Sequence, residues 1–247
     1  MPATPAWPPK SLPRLFVRAA LAEGAMVELD AAQANYLGNV LRMGTGAQLL
    51  VFDGSSGEWL ARISAAAKKR MTLTIERRTR EVEEVPDVWL AFAPIKRAQT
   101  DWLVEKATEL GAARLLPVIT QRTIAERVKL ERLEAIAIEA AEQCGRTRLP
   151  HIANPVSLAQ FLADRDGERS LYFADESGGG VAIQAISSGP AIILTGPEGG
   201  FTDEERALIR AAPNSVAISL GPRILRAETA ALAALAAWMA VAGDWTR

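Results

Sequence analysis

Ala191-Ile192-Ile193-Leu194-Thr195-Gly196-Pro197-Glu198-Gly199-Gly200-Phe201-Thr202-Asp203-Glu204-Glu205 decides the fold class of this chain. Ala191 to Thr195 is a continuous apolar and β-branched run, the signature of a strand covered on both faces. Gly196 to Phe201 is a glycine-rich loop, and Thr202-Asp203-Glu204-Glu205 has the capping-box spacing that opens a helix. The pattern recurs downstream. A strand at Val216 to Leu220 leads into Gly221-Pro222-Arg223-Ile224-Leu225-Arg226, and then into an alanine-rich helix over about Ala227–Ala242. Strand, loop and helix in repeated succession predict an α/β layer with a mainly parallel sheet.

Working back toward the N-terminus, the same rhythm holds as far as Val88. Val88 to Ala93, Arg114 to Ile119 and Leu171 to Ala174 are further strands. Thr100 to Leu110 forms a helix stopped by Gly111, and Lys129 to Cys144 a longer one stopped by Gly145, with Leu130, Leu133, Ala137, Ala140 and Cys144 inward. Ahead of Val88 the rhythm changes. Leu15–Val17, Ala25–Leu29, Gln48–Phe52, Glu58–Ile63 and Met71–Glu76 are short strands separated by turns, with Asp53-Gly54 a hairpin signal. Asp30 caps a short helix reaching Leu41. Such a pattern predicts a small barrel or sandwich. Thr79 to Pro86, acidic and ending in proline, is the expected linker, so two domains are expected, 1–82 and 83–247.

Composition narrows the chemistry. In 247 residues there is one cysteine, Cys144, and one histidine, His151, which leaves little for a zinc cluster or a Ser-His-Asp triad and no internal disulfide. No metal is expected. The net charge is −1, but residues 1–82 carry 11 Lys and Arg against 7 Asp and Glu, whereas 83–247 carry 17 against 22. A basic first domain on an acidic body is a weak pointer to nucleic acid, and equally an ordinary fluctuation of surface charge. Met1 to Pro9 has no cationic stretch leading into an apolar core, and the apolar run Ala230–Ala242 is too short to span a membrane. A cytoplasmic protein without a membrane segment is expected.

The two loops beyond strands 191–195 and 216–220 are the candidate ligand site, because α/β folds bind ligands past the carboxyl ends of parallel strands. For either loop alone the simpler reading is a strand end with a proline-stiffened turn. Neither is a phosphate cradle: Gly196–Gly200 does not match G-x-G-x-x-G, and no G-K-[ST] follows. Nicotinamide, flavin and nucleoside triphosphate therefore lose ground to a nucleoside lacking phosphates, such as S-adenosylmethionine.

Gly196-Pro197-Glu198-Gly199-Gly200-Phe201 followed by Leu220-Gly221-Pro222-Arg223-Ile224-Leu225-Arg226-Ala227-Glu228-Thr229-Ala230 resembles the RsmE-type family. These are S-adenosylmethionine-dependent enzymes that N3-methylate a specific uridine of 16S ribosomal RNA. Trp102 to Gly111, Glu139 to Arg146, Asn39 to Arg42 and Phe52-Asp53-Gly54 resemble the same family, in the same order along nearly the whole chain. The resemblance implies an N-terminal PUA-like β-barrel that binds RNA, then a SPOUT-class α/β domain with a trefoil knot. It also implies a homodimer acting on ribosomal RNA or the small ribosomal subunit. Two stretches depart from the family: Lys96-Arg97-Ala98-Gln99-Thr100-Asp101 where Lys-Gly-Asp is common, and Gln33-Ala34-Asn35-Tyr36 where histidines are common.

By that resemblance the cofactor is held by Thr195, Gly196, Pro197, Glu198, Gly199 and Gly200 from the first loop. Ser219, Leu220, Gly221, Ile224, Leu225, Arg226 and Thr229 complete it from the second. Arg226, Glu198 and Glu228 are the catalytic candidates. An arginine can stabilise a developing uracil oxyanion without titrating, and a carboxylate or water can take the N3 proton. Glu198 reads equally as a partner for backbone amides of its own loop, and Glu228 as a favourable charge at a helix N-terminus. His151 lies in neither loop and reads as structural. RNA contacts are expected from Arg14, Arg18 and Arg42 in the first domain and from Lys96, Arg97, Arg122 and Arg146 in the second, with Lys68-Lys69-Arg70 a further basic turn. Each is also an ordinary solvated charge. Two other functions stay open: a non-catalytic RNA-binding assembly factor, and a tRNA ribose 2′-O-methyltransferase, although Leu220 to Arg226 lacks the usual Asn and Ser of the latter.

Overall fold

A computed structural model describes residues 12–67, 70–124, 127–175, 177–178, 180–182 and 186–246. In chain order the first elements are β1 (Arg14–Phe16), β2 (Met26–Leu29), α1 (Ala31–Asn35), β3 (Gln48–Phe52), β4 (Glu58–Ala67) and β5 (Arg70–Arg80). They are followed by β6 (Val88–Phe92), α2 (Arg97–Glu109), β7 (Arg114–Ile119), α3 (Leu130–Cys144), β8 (His151–Ile152) and β9 (Val156–Ser157). The last are α4 (Leu158–Asp164), β10 (Ser170–Ala174), β11 (Val181–Ala182), β12 (Ala191–Thr195), α5 (Asp203–Ala211), β13 (Ser215–Ser219) and α6 (Ala227–Val241).

The chain forms two units. Residues 1–84 together with 141–148 make one, and 85–140 with 149–247 the other. The division along the chain falls two residues beyond the expected boundary. The inclusion of Ala141–Arg148 in the first unit has no counterpart in a sequence reading, because it depends on partners far away in the chain.

In the first unit the described strands form one sheet in the order β1-β3-β4-β5-β2. Only β1 and β3 run parallel, and the other pairs are antiparallel. Alternation places Leu49, Val51, Ala61, Ile63, Leu73 and Ile75 on one buried face, where they form the core with Leu37. The helix expected from Asp30 to Leu41 forms over that range, but not as a single α-helix. Its capping box is present, with Gln33 N donating to Asp30 Oδ1, but α1 passes at Tyr36 into a π turn closed by Leu41 N donating to Tyr36 O. Arg42 then adopts φ 55°, a conformation that turns the chain sharply and is uncommon outside glycine.

The second unit is built on a parallel sheet ordered β11-β13-β10-β12-β6-β7-β8, with β9 also pairing β7. Its central strands are almost wholly apolar because both faces are covered. Val88, Leu90, Phe92, Ala191 and Ile193 face a core completed by α2 and α6, through Leu103, Val104, Ala234, Leu235 and Trp238. Ala91, Ile192 and Leu194 face a second core with Phe161, Phe201 and Ile209. A fully buried side chain of this kind contributes about 1.5–3 kcal/mol relative to exposure. The capping box of α5 forms as its sequence requires: Glu205 N donates to Thr202 Oγ1 and Thr202 N donates back to Glu205 Oε2. Among the described residues no helix is long and apolar enough to cross a membrane.

Candidate functional site

Strands β12, β10 and β13 are parallel neighbours, so their carboxyl ends lie along one edge of the sheet. The loops that leave them converge there on an open cleft of about 740 Å³. Thr195, Gly196, Pro197, Glu198 and Gly200 line it from the first glycine loop. Ser219, Leu220, Gly221, Ile224, Leu225 and Arg226 line it from the second, and Glu228 from the first turn of α6. Gly199 and Thr229 fall outside it: Gly199 faces the side chain of Arg122, and Thr229 is exposed on α6. A third loop escaped the sequence reading. Ala174, Asp175, Ser177 and Gly178, after β10, form another wall, and Lys96 and Gln99 reach the cleft from the start of α2.

Glycine is required here by space as well as by torsion. Gly200 N donates to Pro197 O to close a tight turn, with Gly200 at φ 67°, and Gly221 sits at φ 101°. A Cβ on Gly196 would meet the Phe201 ring at 3.2 Å. Gly180 is tighter still, since a Cβ there would lie 2.7 Å from the Ile218 carbonyl carbon and 2.9 Å from Ser219 N. These are backbone atoms at the cleft wall and cannot rotate away. Gly180→Ala is therefore expected to displace the wall and lower turnover by about one to two orders of magnitude. Steady-state kinetics, with calorimetric ligand affinity, would check this; a variant with wild-type values would show that the wall tolerates the shift.

Asp175 holds the third loop. Its buried carboxylate accepts from Arg210 Nη2, from Ser177 Oγ at 2.7 Å and from Ser177 N at 3.0 Å. Burial works against its charge, yet these hydrogen bonds and the guanidinium charge hold its carboxyl below the ordinary value of 3.8. Because the folded-state value is depressed, the charge stabilises the fold at neutral pH, and that contribution is lost as pH falls below about 3.8. Wild type is expected to exceed Asp175→Asn in urea resistance at pH 7, and the gap is expected to narrow as pH falls below 3.8. A gap that stayed equal over that fall would exclude the carboxylate as the cause.

The loop after β7 is fastened to the first glycine loop. Gln121 N donates to Glu205 Oε1 at 2.7 Å, and Arg122 Nη1 donates to Gly199 O at 2.7 Å and to Phe201 O at 3.2 Å. Arg122, expected to touch RNA, thus spends donors on bracing the cleft.

Two other expected RNA contacts need correction. Arg14 is largely buried: Nε donates to Glu58 Oε2 at 2.7 Å, Nη2 to Arg146 O at 2.7 Å, and Nη1 to the carbonyls of Ala141 and Glu142. Its guanidinium also stacks 4.6 Å from the Phe52 ring centroid. Arg146 is buried at 6% exposure, donating to Arg148 O and lying 3.5 Å from Glu83. Both serve the interior of the first unit, and neither presents its charge to solvent. Arg18, Arg42, Lys96 and Arg97 are exposed. Lys68 and Lys69 lie outside the described residues.

Of the three catalytic candidates, Arg226 is the N-cap of α6, where its donor-only guanidinium cannot cap the helix amides, and it is an exposed residue of the cleft lining. Glu198 is exposed and accepts no backbone amide of its own loop among the described residues, so that simpler role does not apply. Glu228 is buried in the first turn of α6 and faces the cleft. His151 is an exposed residue of edge strand β8, away from the cleft lining. No group of three His, Cys, Asp or Glu able to hold a metal occurs among the described residues.

A parallel sheet whose strand-end glycine loops share one cleft, beside a small mixed-sheet unit, is the architecture of an α/β ligand-binding protein with a second domain. Residues 83–239 match the model of the RNA methyltransferase domain, and residues 29–76 match that of the RNA methyltransferase PUA domain. The chain belongs to the ribosomal RNA small subunit methyltransferase E family. It is 33% identical to that enzyme from Rickettsia conorii over 90% of this chain and 93% of the relative. It is 37% identical to that of Synechocystis sp. over 86% and 72%. Its fold matches the Neisseria gonorrhoeae enzyme bound to S-adenosyl methionine with TM-score 0.85 and 30% identity, over 94% of this chain and 98% of the other. A methyltransferase of Legionella pneumophila in complex with its bound cofactor SAM matches at TM-score 0.87 and 31% identity, over 95% and 100%.

Proposed function

We propose that this chain transfers a methyl group from S-adenosylmethionine to N3 of one uridine in the RNA of the small ribosomal subunit. The observation that carries the reading is the convergence of both glycine loops on one cleft, in a member of this family. The lining suits the cofactor. Its volume of about 740 Å³ lies within the range of small-molecule sites, and glycine lets backbone approach a nucleoside closely where no phosphate cradle exists. Asp175, paired with Arg210 and bonded to Ser177, holds the wall of Ala174, Ser177 and Gly178 in place and presents no free charge to the ligand.

When bound, S-adenosylmethionine supplies an already activated sulfonium methyl. The loops from Thr195 to Gly200 and from Ser219 to Arg226 bind it and exclude water. Arg226 orients the uracil and stabilises negative charge on its oxygens as N3 becomes nucleophilic. Glu198, exposed at the rim, is placed to accept the N3 proton, and Glu228 holds a second carboxylate within the cleft.

The first unit is the RNA-binding PUA-like barrel in this reading, with Arg18 and Arg42 as phosphate contacts and Lys96 and Arg97 as theirs on the second unit. The reading includes the trefoil knot that membership of this family implies for the second unit, whose strands run in the order β13-β10-β12-β6. The protein works as a homodimer in the cytoplasm. The test is methyl transfer from labelled cofactor to small subunits from a strain lacking this gene, with the modified nucleoside identified by mass spectrometry. N3-methyluridine at one site is the expected product. A different nucleoside would overturn the uridine assignment, and cofactor binding without transfer would favour an assembly factor.

A further inference from the structure

A second cavity, of about 370 Å³, adjoins the first and shares Lys96 and Glu198 with it. It lies beyond the carboxyl ends of β6 and β7, walled by Pro94 to Arg97 on one side and by Ile124, Arg127 to Lys129, Arg132 and Leu133 on the other. The chain leaves β6 toward β7 in one direction along the sheet, and leaves β12, the adjacent strand, toward β13 in the opposite direction. The crevice at such a reversal is where open α/β sheets take their ligands. The two cavities occupy its two sides.

Their linings differ in kind. The second cavity has an apolar floor of Ile95, Val128 and Leu133 and a cationic rim. Lys96, Arg97, Arg127 and Lys129 are exposed on that rim and make no ion pair with any described residue. Arg132 is the contrast, since Asp101 holds it by bonds from Nε at 2.9 and 3.0 Å. An apolar floor under a rim of four cations without a described ion pair, with Glu198 on the side shared with the cleft, matches a planar base carried on a phosphate backbone.

We propose that this second cavity receives the target nucleotide after it has swung out of the RNA. The base lies against Ile95, Val128 and Leu133, and the flanking phosphates engage Arg97, Arg127 and Lys129. The proposal rests on the reading of the chain as a methyltransferase acting on RNA, and adds to it the seat of the substrate. A base inside a duplex must leave its stack for its N3 edge to be reached. Once seated here, it would meet the cofactor cleft across Glu198, the residue proposed to take its proton. The distance between the two seats is fixed by the braces already described: Gln121 to Glu205 and Arg122 to Gly199 tie the loop that leads into the outer wall of this cavity to the loop of the cleft.

The experiment compares full-length wild type with Arg127→Ala/Lys129→Ala and with Val128→Trp, which fills the slot. With small subunits as substrate, the double variant is expected to raise KM about tenfold with kcat nearly unchanged. It should also make the salt dependence of RNA binding shallower by about two in log–log slope. Val128→Trp should lower kcat/KM by at least about a hundredfold. Both should bind S-adenosylmethionine, measured by calorimetry, as wild type does. An unchanged KM and salt slope in the double variant would overturn the proposal, even if Val128→Trp failed to fold. Loss of cofactor affinity in the double variant would also overturn it, by making the cavity an extension of the cofactor cleft. Wild type that neither binds cofactor nor transfers methyl would instead defeat the functional reading itself.

Discussion

Arg226→Ala is expected to lower kcat by about two to three orders of magnitude while leaving cofactor affinity within a few fold of wild type. The residue is the N-cap of α6, yet its side chain makes no cap bond, so alanine removes nothing that holds the helix start. Its guanidinium faces the cleft and has no partner among the described residues, leaving its donors for the substrate. Donors aimed at a developing oxyanion act where charge grows, which is why the loss falls on turnover and not on binding. Arg226→Lys keeps the charge but loses the planar fork, and should recover only part of the rate. Single-turnover kinetics with calorimetry separates the two effects. Turnover within about threefold of wild type for the alanine variant would refute the assignment, since removing one such donor ordinarily costs far more.

The largest stability effect is expected at Glu58. Its buried carboxylate accepts from Arg14 Nε, from Arg80 Nε at 3.0 Å and Nη2 at 2.9 Å, and from Thr79 Oγ1 at 3.1 Å. Burial opposes the charge, but the hydrogen bonds and charges of Arg80 and Arg14 outweigh it and hold the carboxyl below its ordinary value of 4.5. Glu58→Gln keeps the shape and leaves the Arg14 guanidinium without an anion, at 11% side-chain exposure. Breaking a buried pair by removing one partner costs about 3–5 kcal/mol. The depressed value makes this stabilisation present at neutral pH and lost as pH falls below about 4.5. Hydrogen exchange at the amides of β3 and β4 is the suitable probe, because a two-unit chain need not unfold in one step. Undiminished protection at pH 7 in the variant would rule out the ion pair as a support of the sheet.

The central strands and the start of α5 were legible in the sequence because their signals are local. Val88 to Phe92 and Ala191 to Leu194 are apolar at every position, and Thr202 and Glu205 satisfy each other three residues apart. The short elements were not: β8, β9 and β11 are two residues each, too short for any periodicity. Helix α4 had a readable cap, Ser157 Oγ accepting from Gln160 N, but only two buried apolar residues behind it. The glycine loops were found as motifs, yet a motif does not say which side of a loop faces the ligand, hence Gly199 and Thr229. Asp175 was invisible because it is defined by Arg210, which lies 35 residues away. Arg14 was misread for the same reason: its anion is 44 residues distant and its carbonyl acceptors more than 120.

Those distant carbonyls also set a timetable. The sheet of the first unit is encoded before residue 84, but the segment that accepts the Arg14 donors, and the Phe16 amide through Glu142 Oε1, ends at Arg148. During synthesis at about 5–20 residues per second, the nascent sheet waits several seconds for that segment. Until then a guanidinium and a strand amide destined for the interior remain in water. The unit that begins the chain is therefore not complete when its own sheet has been made; it waits for the end of α3 and the residues that follow it to Arg148.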